Sequence, residues 1–129
     1  MEVQEITGKI IESAILVHNE LGPGLLESVY ETCLAEVLSE NGLFVKRQQS
    51  LPVIFRGKEI DMSFRIDLLV NDTVIVELKA IETILPIHEA QLFTYLKLSK
   101  KNVGLLINFN VKLLKAGPKR IVIDFNKPY

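Results

Sequence analysis

Apolar residues recur at helical spacing over residues 4–21, with Ile6, Ile10, Ala14, Val17 and Leu21 on one side, and the "GPG" at 22–24 ends that helix. A second helix follows at once. It carries Leu26, Val29, Tyr30, Cys33, Leu34, Val37 and Leu38 on one broad face and stops at Asn41-Gly42. From Phe44 the period falls to two: "FVKRQQSLPVIF" reads as a strand, "RGKE" as a turn, and "IDMSFRIDLLV" and "TVIVELKA" as two further strands. Pro52 has no N–H for a ladder, which places the first strand at an edge. Residues 86–101, "PIHEAQLFTYLKLSKK", open with a proline suited to a helix's first turn and close on lysines suited to its C-terminal dipole. "VGLLINFNV" and "RIVIDF" then read as strands joined through "KAGPKR". The order α-α-β-β-β-α-β-β predicts a mixed central sheet flanked by helices, an α/β (α+β) fold. No repeat, low-complexity tract or linker divides the chain, so a single domain over 1–129 is expected.

Charges inside the central hairpin need a reason. Alternation puts Met62, Phe64, Ile66, Leu68 and Val70 on one face of its first strand, joined by Val74, Val76, Leu78 and Ala80 from the second. Asp61, Ser63, Arg65, Asp67, Thr73, Glu77 and Lys79 take the other face. A one-residue slip would oppose Phe64 to Lys79, and a three-residue connection, Asn71-Asp72-Thr73, avoids that. This register pairs Val70 with Val74 and Leu68 with Val76, and sets Asp67 opposite Glu77 and Arg65 opposite Lys79. Directly opposed carboxylates, about 5 Å apart at Cβ, repel unless they share a cation. An all-oxygen set suits Mg2+ or Mn2+ rather than zinc. The competing reading is a solvated polar sheet face with ordinary ion pairs.

Composition narrows the setting. About half of the 129 residues are apolar, enough for one real core, and 15 basic against 16 acidic residues leave no global attraction for nucleic acid or membrane. The lone cysteine, Cys33, excludes an internal disulfide and reads as core. No leader pattern or membrane span is evident, so a cytoplasmic location with no membrane partner is expected.

The charged hairpin resembles a known signature. Asp67 followed by Glu77-Leu78-Lys79 on the next strand is similar to the PD-(D/E)XK nuclease superfamily, although "RID" stands where others have Pro-Asp. "GLLESVY", from Gly24 to Tyr30, resembles the G-x-x-E-x-x-Y signature of the small family called GxxExxY proteins. "QLFTY", from Gln91 to Tyr95, resembles the Q-h-x-x-Y motif of RecB-type members.

The resemblance implies a restriction-endonuclease-like core and a Mg2+- or Mn2+-dependent nuclease. In it Asp67, Glu77, the carbonyl of Leu78 and Glu27 would hold the metal, Lys79 would assist the attacking water, and Gln91 and Tyr95 would steady the site and contact substrate, DNA before RNA. Each residue also has a plainer role. Glu27 suits a helix's first turn on dipole grounds; Gln91 and Tyr95, one turn apart, suit a polar seam; Tyr30 suits the core as well as a substrate contact. His88 is placed to reach phosphate, and His18 to act as a C-terminal cation or as a support for the site. With Asp67, Glu77 and Glu27 against Lys79, the cluster is formally two charges negative, so metal dependence is expected to be absolute. Lysines and arginines in "KRQQ", "KLSKK" and "KLLKAGPKR" are the candidates for attracting substrate. So small a domain offers little footprint, which points to a homodimer, and the lack of a sizeable basic excess or an evident stacking platform points to weak intrinsic nucleic-acid binding or to a protein partner that delivers substrate. The alternative is a nuclease-fold module that binds nucleic acid or a protein without cutting.

Overall fold

The computed structural model describes residues 1–115 and 117–128, with backbone alone at 61–63. Helices α1 (Val3–Leu21) and α2 (Glu27–Glu40) precede strands β1 (Val45–Phe55), β2 (Lys58–Val70) and β3 (Val74–Lys79); α3 (Pro86–Ser99), β4 (Val103–Asn108) and β5 (Lys119–Val122) follow. The element order is the one the hydrophobic periods predict. Among the described residues five strands form one sheet in the order β1-β2-β3-β4-β5. Of these only β3 and β4 run parallel, because α3 carries the chain from the end of one to the start of the other. β1 is an edge strand, as Pro52 requires, and its register with β2 shifts between Leu51 and Val53.

The sheet is covered on both faces. On one, Ile6, Ile10, Ala14 and Val17 of α1 and Tyr30, Leu34 and Leu38 of α2 pack on Leu68, Val70, Val74, Val76 and Leu78. On the other, Leu92, Tyr95 and Leu96 of α3 pack on Leu51, Ile66, Leu69, Ile75 and Leu106. The expected faces of α1 and α2 narrow: Leu21, Leu26 and Val29 remain exposed, and Cys33 is half-buried at the margin of the core. Among the described residues no helix is long and apolar enough to cross a membrane.

The three-residue connection forms with the predicted register, Val70 opposite Val74 and Leu68 opposite Val76. Asn71 and Asp72 both take positive φ, 51° and 54°, a conformation their short polar side chains tolerate better than most. Two expectations for this hairpin are corrected. The β2–β3 ladder ends at Leu68–Val76, so Asp67 with Glu77 and Arg65 with Lys79 are not ladder pairs. The apolar row also does not keep one face: Leu68 and Val70 meet α1 and α2, whereas Ile66 packs on the α3 side, where Phe64 meets the Tyr95 ring edge-on. The change of face coincides with Gln48, whose φ of 49° interrupts β1 between its pairings Arg47–Leu68 and Gln49–Ile66. Strict alternation cannot survive such a break. Met62, Asp61 and Ser63 belong to the expected rows, but their side chains lie outside the described residues, as does Ala116 of the "KAGPKR" turn.

Gly104 of β4 explains how closely α3 approaches the sheet. A Cβ there would lie 2.9 Å from Leu92 Cδ1 and within 3.2 Å of Cγ and Cδ2, and Leu92 is buried. Gly104→Ala is therefore expected to cost about 1–3 kcal/mol by overpacking, measurable as a lower urea midpoint.

Candidate active site

Beyond the Leu68–Val76 pair, β2 and β3 part, and side chains take over from the missing ladder. The Leu78 N–H donates to Asp67 Oδ2 at 2.9 Å, and the Asp67 N–H donates to Glu77 Oε1 at 3.3 Å. Each carboxylate thus satisfies a backbone donor of the opposite strand, which ties Asp67 and Glu77 into one fork. Within a strand the C=O and N–H of one residue leave by the same edge, so the Leu78 carbonyl also faces this fork. Glu27, the first residue of α2, reaches the same end of the sheet, where its Oε2 accepts the Ala80 N–H at 3.3 Å.

Glu27 owes its place to the turn before it. Gly22 and Gly24 take φ of 71° and 97°, a region only glycine enters freely. Tyr30 reaches back from α2 to close the turn: its hydroxyl donates to the Gly22 carbonyl at 2.5 Å and accepts the Leu25 N–H at 3.2 Å, while its ring stacks on Phe109 at 4.5 Å. Tyr30 has no exposed surface, so the expectation that it contacts substrate is corrected; it braces the turn that delivers Glu27. His18, in the last turn of α1, is likewise buried, with Nε2 donating to the Val111 carbonyl at 2.7 Å.

Burial sets the electrostatics. Glu77 is 6% exposed, and burial first, then the neighbouring Asp67 charge, push its carboxyl up to about 9, with Lys79 pulling weakly the other way. Near neutral pH the metal-free fork therefore holds a proton on Glu77, and carries less negative charge than the formal sum of its residues. Tyr95, packed with Ile66 and Ile75 on the α3 face, is raised as well, chiefly by burial and then by Glu77 and Asp67.

Glu31, Arg47 and Gln48 stand around the fork; the sequence offers Arg47, within "KRQQ", only as a cation to attract substrate and does not single out Glu31 or Gln48. Glu31 is buried, with Oε2 held by Arg47 at 3.0 Å and Oε1 by Gln48 Nε2 at 2.6 Å; the Gln48 amide also reaches Asp67 Oδ1 at 3.3 Å. A concavity of about 340 Å³ opens between Glu27, Ser28, Glu31, Gln48, Asp67 and Leu78. The strained Gln48 backbone, unusual for a non-glycine strand residue, aims its side chain between the two carboxylates. Helical spacing from Glu27 to Glu31 was the available signal. Glu31→Ala is expected to cost about 2 kcal/mol, because it strips the charged acceptor from Arg47 and Gln48 together; chemical denaturation checks this.

The remaining expected residues are placed as follows. Lys79 is half-buried at the end of β3, close enough to Glu77 to stabilise its ionised form. Gln91 is exposed on α3 and lines, with Tyr95, a separate groove on that side. His88 Nδ1 accepts the Leu85 N–H at 2.8 Å and caps its own helix. Of the basic residues expected to attract substrate, Arg47 is engaged by Glu31, Lys101 by Asp72 at 3.3 Å and Lys119 by Glu89 at 2.9 Å.

Among the described residues no group of three or more His, Cys, Asp or Glu side chains stands close enough to hold a metal ion together. The donor chemistry nevertheless fits a hard cation: Asp67, Glu77, Glu27 and the Leu78 carbonyl offer only oxygen, and among the described residues none of these carboxylates is in an ion pair. Their present partners are backbone N–H groups at 2.9–3.3 Å and, for Asp67, the Gln48 amide at 3.3 Å, which a bound ion would displace or share.

Compared with curated proteins and with solved structures, the chain gives no match. A family model described as PD-(D/E)XK nuclease superfamily matches residues 4–121, from the first turn of α1 into β5. With that span covering nearly every element, the chain belongs to the PD-(D/E)XK nuclease superfamily.

Proposed function

We propose that this protein is a Mg2+- or Mn2+-dependent nuclease that hydrolyses phosphodiester bonds, with DNA the preferred substrate, and that within its superfamily it belongs with the GxxExxY proteins. The observation that carries this reading is the fork: Asp67 and Glu77 bonded across parting strands, Lys79 on the same strand, and Glu27 brought to the same sheet end by α2.

Asp67, Glu77, Glu27 and the Leu78 carbonyl would hold the cation. When bound, such an ion lowers the pKa of water and offsets charge on the phosphoryl oxygens. The chain's own residues supply the rest. Lys79 provides a positive charge beside the fork and can orient the attacking water or steady developing negative charge. Glu31 and Gln48 hold Asp67 in place from the α2 side, and Tyr95 closes the α3 side.

A second reading has its own support: carboxylates already satisfied by backbone donors, and a protonated Glu77, suit a module that binds nucleic acid without cutting it. Cleavage of labelled single-stranded, duplex and branched DNA and RNA with Mg2+, Mn2+ or EDTA separates the two. The proposal expects cutting that EDTA abolishes; no cutting of any substrate with either metal favours the module.

A further inference from the structure

On the α3 face, a groove of about 430 Å³ runs between α3 and the part of the β1–β2 hairpin that extends beyond β3. Val53 and Phe64 form one wall and Ile87, Gln91, Thr94 and Tyr95 the other. All the lining residues are uncharged. Phe64 is 38% exposed and meets the Tyr95 ring at 61° with 6.4 Å between centroids, so part of its ring remains open to the groove it lines. Gln91 and Thr94 add an amide and a hydroxyl to an otherwise apolar lining.

We propose that this groove binds a nucleobase unstacked from its strand, next to the phosphate engaged by the fork, so that the substrate is single-stranded or frayed rather than continuous duplex. The inference rests on the nuclease reading for its phosphate, but its geometry is separate. An aromatic face stacks any base, and an amide able both to donate and to accept matches a base edge. The volume admits a base with its sugar but not a base pair with its backbones. Charge is distributed to suit a nucleotide: a neutral groove for the neutral base, and exposed Lys97, one helical turn from Thr94, for a flanking phosphate. Tyr95 joins the two regions, since its ring lines the groove and packs with Ile66, the neighbour of Asp67 on β2, and with Ile75, two residues before Glu77 on β3. A base pair inside a duplex cannot offer a single base to such a slot without unstacking it.

The test uses the full chain and a short deoxyoligonucleotide carrying 2-aminopurine, single-stranded or annealed to its complement, in Ca2+ and in EDTA. Stacking on Phe64 is expected to quench the 2-aminopurine emission. The single strand is expected to bind at least about tenfold more tightly than the duplex, and Phe64→Ala to weaken it by about 5- to 100-fold, the range set by one stacked base. Gln91→Ala, on an exposed helix position that leaves the core untouched, is expected to weaken it several-fold. Equal binding of duplex and single strand, unchanged emission, or wild-type binding by both variants would overturn the proposal. So would a dimer of the free protein that Phe64→Ala dissociates, because the groove would then be filled by a second copy. Single-strand binding with no cutting under Mg2+ or Mn2+ sinks the nuclease reading alone; cutting of duplex that Phe64→Ala leaves unchanged sinks the groove alone.

Discussion

Asp67→Asn and Glu77→Gln are each expected to lower metal-dependent cleavage by about 10³-fold or more while leaving the fold intact. Both substitutions keep the shape of the fork. In Asp67→Asn the new amide oxygen can still accept the Leu78 N–H, and in Glu77→Gln it can still accept the Asp67 N–H, as the native carboxylates do. What each removes is a negative oxygen donor to a hard cation, whose stabilisation of transition-state charge is worth several kcal/mol, or roughly three powers of ten in rate. Lys79→Ala removes a group beside the fork rather than a metal donor, and a loss of about 10²- to 10⁴-fold is expected, with metal affinity kept. Single-turnover cleavage, together with circular dichroism melts of each variant, checks these outcomes. Variants that fold normally and cut within tenfold of wild type would remove the fork from the mechanism.

The second large effect is on stability against pH. Glu77 has a folded-state pKa of about 9 against an ordinary 4.5, because burial and the Asp67 charge oppose its ionisation. Between these values the folded state holds a proton that the unfolded state has released. Stability contributed by this group is therefore fully present below about pH 4.5 and is lost as pH rises through about 9, with a slope approaching 1.4 kcal/mol per pH unit. Glu77→Gln places a permanently neutral side chain in the same surroundings. The variant is expected to be more stable than wild type at about pH 8 in EDTA, by roughly 4 °C for every kcal/mol gained, and the advantage to shrink toward about pH 5. The substitution that disables cutting thus strengthens the metal-free fold. Melts of both proteins across that pH range measure it, and parallel curves would show that Glu77 is ionised in the folded state.

Much of this was legible in the sequence because it rests on local period and on residues with one physical use. Pro52 marked the edge strand, Asn71-Asp72-Thr73 set the hairpin register, and Gly22 and Gly24 marked the turn before Glu27. The misreadings of the hairpin share a cause: side-chain alternation was extended through a backbone break that sequence does not announce. Gln48 has no residue-level reason to take positive φ, yet its conformation accompanies the change of face between Ile66 and Leu68 and the meeting of Asp67 and Glu77 through backbone N–H groups rather than as a ladder pair. Arg47 looked like a free cation for another reason: only the fold brings α2 beside β1 and engages it with Glu31. Tyr30 was ambiguous because a tyrosine on an apolar helix face serves a core and a site equally well; its hydroxyl's partner, eight residues back in the turn, decides the matter.

The fork is expected to exchange the proton on Glu77 for a divalent ion, and calorimetric titration of Mn2+ into the metal-free protein tests this most directly. Repeated in two buffers of different ionisation heat, it counts protons as well as metal. The predicted result is saturable binding with release of close to one proton near pH 7, affinity rising toward about pH 9, and both lost in Glu77→Gln. Binding that Glu77→Gln leaves unchanged, or no binding at millimolar Mn2+, would contradict it.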